Sequence, residues 1–400
     1  MEVDVEAAGL DARRLGAIGD HLRSRYLEPG KIAGAQAAVV RNGVVGYFES
    51  FGERDRERDL PVSDDTIWRL YSMTKPVTGV AMMTLYERGH FQLDDAVERW
   101  IPEWENMTVS EPDPNGGTRV VPAHRPPTIR DILTHTSGIG YGPENRDLDL
   151  ANRGWSRDED LASLAAAFGE WPLRFQPGTR WLYSHGMDVA ARLVEIMSGL
   201  PYDEYVRREI LDPLGMSDTD FSVPAEKVER FAACYGRNAR KELVLVDDPT
   251  TSSYLSKPKL LNGGGGLVGT TRDYVRFCAM LANGGELDGH RVLGRKTLEL
   301  MTTNHLPGDG EMSDFALPNG YGEVGFTGTG FGLTVSVTKG PQATGVVGTA
   351  GSFAWGGAAS TTFWVDPAEQ LAVVFMTQLI PSRTFNFPGQ LKALVYGALL

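Results

Sequence analysis

The stretch Tyr71-Ser72-Met73-Thr74-Lys75-Pro76 and the run that follows it to Gly89 constrain this chain more than any other segment. Pro76, Val77, Val80, Ala81, Met82, Met83 and Leu85 are too apolar for a surface helix, so the run reads as a buried one. Pro in the first turn and Gly89 past the end are the expected start and stop signals. Ser72 and Lys75 are three apart, which puts them on one helix face about a turn apart. A hydroxyl at a helix N-terminus with an amine beside it is a nucleophile next to its base. The peptide dipole there also favours negative charge where an oxyanion would form. Read as structure alone, the pattern is a Ser cap followed by a solvated Lys. The apolar run argues instead that Lys75 points into a covered site, where an ammonium is costly unless it has a use.

The chain has 400 residues, enough for one large domain or two. A net charge of −13 argues against nucleic acid or an anionic membrane surface as partner. Two cysteines, Cys234 and Cys278, read as buried small hydrophobes in a reducing compartment, not as a disulfide framework. The acidic start, Met1 to Glu6, has no apolar core, so no signal peptide is expected there, and no run approaches the ~18 apolar residues of a membrane span. The expected location is the cytoplasm. Seven scattered histidines, with no His-x-x-x-His or Cys-x-x-Cys, give no metal-site signal, and no metal or cofactor is expected.

Helical spacing predicts a helix over 11–26, with Leu15, Ile18, Leu22 and Tyr26 on one face. Strands are predicted over 34–41 and 44–50 about Asn42-Gly43, a strong hairpin signal, with a polar loop over 53–65. Residues 91–127 read as loop, including the irregular Glu111-Pro112-Asp113-Pro114-Asn115-Gly116-Gly117. Thr128 to Gly138 reads as a short capped helix carrying His135, which is more simply a structural histidine than a base. Further helices are predicted over 158–168, 187–197, 202–211, 272–282 and 387–399, and 224–260 reads as irregular. Strands are predicted over 332–339, 351–365 and 370–378.

Three loop and strand segments bear on chemistry. Tyr183 lies in the connection before the 187–197 helix, where a side chain can reach a cleft; a buried core Tyr is the plainer alternative. Asn262 to Thr271 is glycine-rich without the spacing of a phosphate or dinucleotide loop, and reads as a tight backbone crossing beneath a site. Trp355-Gly356-Gly357 sets consecutive glycines inside a strand, for close approach of a ligand, a bulge or a packed helix.

Together, Ser72-Met73-Thr74-Lys75, Tyr183-Ser184-His185 and Trp355-Gly356-Gly357 resemble the motifs of the β-lactamase-like serine hydrolases. The family VIII carboxylesterases are closest; their relatives include class C β-lactamases, D-aminopeptidases and fungal transesterases. The resemblance implies an α+β, penicillin-binding-protein-like fold: an antiparallel sheet flanked by helices, from residues 1–75 with 255–400, and a mainly helical region, 76–254. It implies Ser72 as the acylated nucleophile, with Lys75 and Tyr183 sharing the proton transfers. Burial would depress the Lys pKa and a neighbouring cation the Tyr pKa, and either could be the base. The backbone N–H groups of Ser72 and Ala358 would form the oxyanion hole. Tyr71, His185, Trp355, Gly356 and Gly357 would contact substrate. The sequence departs from the β-lactamase pattern in two places. Trp355 stands where Lys-Thr-Gly supplies a cation, an apolar wall that favours a neutral ester. His185 stands where class C enzymes carry Asn. The expected substrate is a short-chain carboxylic ester, with acyl transfer or amide hydrolysis as alternatives. No Gly-x-Ser-x-Gly elbow is present.

Overall fold

Strand residues along the chain alternate between two cores, and that alternation organises the architecture. The structure, a computed structural model, describes residues 1–141, 159–318 and 320–400. Helix α1 (Ala12–Leu22) runs on into a π turn over Arg23–Leu27. Strands β1 (Gly34–Arg41) and β2 (Val44–Asp55) then fold back about Asn42 and Gly43, both at positive φ, as a tight hairpin requires. β3 (Leu60–Pro61) pairs with the far end of β2, so the predicted 53–65 loop is partly sheet.

β4 (Ile67–Arg69) leads into α2 (Thr74–Glu87). Two hairpins occur where the sequence reads as loop: β5 (Thr108–Pro112) with β6 (Thr118–Pro122), and β7 (Cys234–Arg237) with β8 (Leu243–Asp247). Glu111 and Pro112 therefore end a strand, and the turn is confined to 113–117. A two-stranded ribbon tolerates Pro at such an edge. α3 (Ile129–Leu133), with the Thr128–Asp131 capping box, is shorter than predicted and ends before His135, which has φ 59°.

α4 (Leu161–Ala167), α5 (Gly186–Ser198) and α6 (Tyr202–Val206) follow. Residue 158 of the predicted 158–168 helix lies outside the described residues. β9 (Val268–Thr270), α7 (Thr271–Ala282), the short pair β10 (Glu286–Leu287) and β11 (His290–Arg291), and α8 (Arg295–Met301) complete the middle of the chain.

The remaining strands are β12 (Thr329–Phe331), β13 (Ser336–Thr338), β14 (Phe353–Gly356), β15 (Thr362–Asp366) and β16 (Leu371–Thr377). The first half of the predicted 332–339 strand is instead the turn between β12 and β13, closed by Gly332 N–H to Val335 C=O at 2.8 Å, and only Ser336–Thr338 is strand. The predicted 351–365 strand is likewise two antiparallel strands. Gly357 and Thr361 close the turn at 2.9 Å, and Ser360 takes φ 66°. The chain ends in a helix, Phe387–Tyr396.

The main sheet is antiparallel throughout, in the order β12-β13-β14-β15-β16-β1-β2-β3. Ala35, Ala37, Val39, Leu371, Val373 and Phe375 bury one face under α1 and the C-terminal helix. The intervening Ala38, Val40, Ala372, Val374 and Met376 bury the other against a core that includes α2, α5 and α7. Burial on both faces is why these strands read as continuous apolar runs. α2 is buried from Thr74 to Leu85 in the second core. Among the described residues, no helix is long and apolar enough to cross a membrane.

Candidate active site

The start of α2 is held from several sides. β4 pairs with β9, and Leu70 N–H donates to the Leu267 carbonyl at 3.0 Å. Arg69, fully buried, pairs with Asp247 at 2.8 Å and lies over the Phe231 ring. Tyr274 Oη donates to the Met73 carbonyl at 2.9 Å, and Leu267 N–H to Thr74 Oγ1 at 3.1 Å. Tyr71, just before Ser72, has φ 46°, a conformation a bulky residue adopts only when its surroundings impose it.

Lys75 is wholly buried. Its Nζ donates to Ser72 Oγ at 3.2 Å and to the Gly264 carbonyl at 2.6 Å. A Cβ at Gly264 would stand 3.3 Å from that Nζ, so the glycine there makes room for the amine. Burial is the larger influence on the ammonium and pulls its pKa down to about 8, while Asp188 and Glu323 act in the opposite sense. Asp188 supports the same loop: Oδ1 accepts from Gly264 N–H at 3.1 Å, and Oδ2 meets His185 Nδ1 at 2.8 Å.

Tyr183 closes the other side. Lys75 Nζ lies 4.5 Å from its ring centroid, over the face of the ring. Burial pushes the phenol well above tyrosine's usual value, reinforced by Tyr141 and Glu323, while its hydrogen bonds with Ser72 and Trp355 oppose the rise. The expected depression by a neighbouring cation is not seen; burial raises the phenol, which stays protonated at neutral pH. His135 sits edge-on to Tyr183 at 5.0 Å and is fully buried, with Nδ1 2.9 Å from Ser184 Oγ. It packs behind the site.

A cleft of about 580 Å³ opens over Ser72. Its lining includes the predicted Tyr71, Tyr183, His185 and Ala358, and also Tyr141, Tyr321 and Glu323, which the sequence reading missed. No motif surrounds those three; only the fold brings them here. The glycine-rich crossing forms the floor through Gly264, Gly265 and Gly266. Among the described residues, the backbone N–H groups of Ser72 and Ala358 make no hydrogen bond. Two unengaged donors therefore border the cleft beside a hydroxyl, an amine and a phenol. Such a set can bind an oxyanion and move a proton.

Three predicted contacts lie elsewhere. Trp355 is fully buried and does not line the cleft; its Nε1–H points at Tyr183 Oη, 3.3 Å away. Its strand turns the indole into the core, so it braces Tyr183 and is not an apolar wall. Gly356 and Gly357 also lie off the cleft surface. A Cβ at Gly357 would stand 2.4 Å from the Leu70 carbonyl, so this glycine admits the backbone that leads to Ser72.

The family model for β-lactamase matches residues 20–395. Protein Rv1367c of Mycobacterium tuberculosis is 34% identical over 367 residues, covering 90% of this chain and 89% of its own. Esterase EstB of Burkholderia gladioli is 32% identical over 408 residues, covering 94% and 93%. The solved structure of EstCE1, a hydrolase with promiscuous acyltransferase activity, superposes with a TM-score of 0.79 over 96% of this chain and 98% of its own, at 24% identity. With a match to the family model across nearly its whole length and a fold shared with EstCE1, this chain belongs to the β-lactamase family and is an enzyme of the serine-hydrolase type.

Proposed function

We propose that the protein is a serine carboxylesterase that cleaves short-chain carboxylic esters through an acyl-enzyme on Ser72. The observation that carries this reading is the wholly buried Lys75 amine, 3.2 Å from Ser72 Oγ, with its pKa lowered to about 8. Neutral Lys75 accepts the Ser72 proton as Oγ attacks the ester carbon. The tetrahedral oxyanion is taken up by the N–H groups of Ser72 and Ala358; one such donor is worth about 3 kcal/mol of barrier. As the C–O bond breaks, Tyr183 gives its proton to the departing alkoxide and is reprotonated from Lys75. Water then attacks the acyl carbon by the reverse sequence and releases the acid.

The raised phenol and lowered amine support Lys75 as base and Tyr183 as acid. No lysine stands at the Trp355 position to hold a substrate carboxylate, which favours esters over β-lactams, and the likeness to EstB points the same way. The same acyl-enzyme could pass its acyl group to an alcohol; EstCE1 is itself a hydrolase with promiscuous acyltransferase activity. Both cysteines are free and buried, which fits a reducing compartment, and we place the protein in the cytoplasm on that ground.

The test is hydrolysis of nitrophenyl acetate, butyrate and octanoate, with nitrocefin alongside and an added alcohol in a parallel series. Butyrate turnover far above nitrocefin, with acid as the main product, is expected. Dominant nitrocefin turnover would make the protein a β-lactamase, and dominant transfer to the alcohol an acyltransferase.

A further inference from the structure

Among the described residues, the cleft over Ser72 is lined by one carboxyl side chain and five tyrosines. Glu323 lines it together with Tyr71, Tyr141, Tyr183, Tyr254 and Tyr321. Glu323 is 7% exposed, and its Oε2 accepts from Ser382 Oγ at 2.7 Å, with Tyr321 Oη on the same hydroxyl. Arg383 acts on it only through space, since its Nη1 donates to the Gly322 carbonyl at 3.3 Å. Lys75 lies below the cleft surface, already engaged by Ser72 and Gly264. Among the described residues, no Lys or Arg side chain lines the cleft.

Aromatic faces and a carboxylate attract the same class of group. Lys75 itself shows the preference, with its Nζ 4.5 Å from the Tyr183 centroid and 5.5 Å from that of Tyr141. Building on the esterase reading, we infer that the cleft recognises esters bearing an ammonium group, with Glu323 holding the charge and the tyrosines enclosing it. Burial raises the Glu323 carboxyl above its usual value, while Ser382, Tyr321, Lys75 and Arg383 pull it back. A bound cation adds to that pull and stabilises the ionised form. The same carboxylate disfavours substrates that carry an acid near the scissile bond.

The experiment compares matched esters that differ only in charge. On the acyl side these are nitrophenyl γ-trimethylammoniobutyrate, its uncharged tert-butyl isostere and nitrophenyl hemiglutarate. On the alcohol side they are butyrylcholine and its tert-butyl isostere. The cationic member of at least one pair should show kcat/KM roughly tenfold above its isostere, with hemiglutarate the poorest acyl substrate. Glu323→Gln should abolish the cationic preference. Tetramethylammonium chloride should also inhibit hydrolysis of the neutral ester competitively, where equal sodium chloride does not. This readout uses the wild-type protein and does not depend on the folding of the variant. Hydrolysis of the neutral esters with no cationic preference in either pair would overturn the inference and leave the esterase reading standing. A preference that survives in Glu323→Gln would assign it to another group and likewise overturn it. Failure to hydrolyse any of the esters would strike the esterase reading itself.

Discussion

Trp355→Phe separates bracing of Tyr183 from contact with substrate. The substitution removes the indole N–H that points at Tyr183 Oη and keeps an aromatic ring in the core. At 3.3 Å the bond is near the outer limit for N–H···O, so in the resting enzyme it contributes about 0.5–1 kcal/mol. When Tyr183 hands its proton to the leaving alkoxide, Oη gains negative charge and the bond becomes charge-assisted, at about 1.5–3 kcal/mol. The difference, about 1–2 kcal/mol, falls on the transition state and lowers kcat roughly 5- to 30-fold. KM for nitrophenyl butyrate should stay close to wild type, because Trp355 does not face the cleft. The smaller ring leaves a void, so unfolding should cost about 1–3 kcal/mol less, read by urea denaturation. An unchanged kcat, with KM varying along an acyl-chain series, would rule out the bracing role and return Trp355 to the substrate surface.

Two further substitutions test the electrostatics. Lys75→Met removes a buried ammonium, so it should abolish turnover while raising stability at pH 7 by about 1–2 kcal/mol in urea titrations. Wild-type kcat/KM should climb with pH along a limb near 8, where Lys75 becomes neutral. Lys75 loses its proton at about 8 in the folded state and at its ordinary 10.5 when unfolded. Between those values the unfolded chain binds more protons, so stability rises with pH across that window in wild type and not in Lys75→Met. Asp188→Asn weakens two hydrogen bonds, to His185 and to Gly264 N–H, and should cost about 1–2 kcal/mol of stability. It also removes a charge that raises the Lys75 pKa, so the rising limb of the pH–rate profile should move to lower pH.

The parts legible in the sequence were those with local causes. α2 is buried along nearly its whole length, so its apolar run and the Ser72–Lys75 spacing stood out. Asn42-Gly43 needs only its own backbone to make a hairpin. Gly264 was readable as a close crossing, although its partner, the Lys75 amine, was not. The β14–β15 turn was missed because Gly356-Gly357 reads equally as a bulge or a ligand approach inside one long strand, and Ser360 takes its positive φ from tertiary context. The β5–β6 and β7–β8 hairpins expose much of their length, with Val120 60% and Val246 57% exposed, so no apolar alternation marks them. Trp355 was placed on the correct strand, but which way its indole faces depends on the register of β14 with β13 and β15. Tyr141 comes from one loop and Tyr321 and Glu323 from another far along the chain, and nothing short of the folded chain assembles them with Ser72.

In the proposed mechanism an acyl group passes through Ser72 Oγ. Its most direct test is rapid acid quenching during turnover of nitrophenyl butyrate, followed by peptide mass analysis. A butyryl adduct on the peptide containing Ser72, absent along with turnover in Ser72→Ala, is the predicted result. An adduct on another residue, or sustained hydrolysis by Ser72→Ala, would contradict the account.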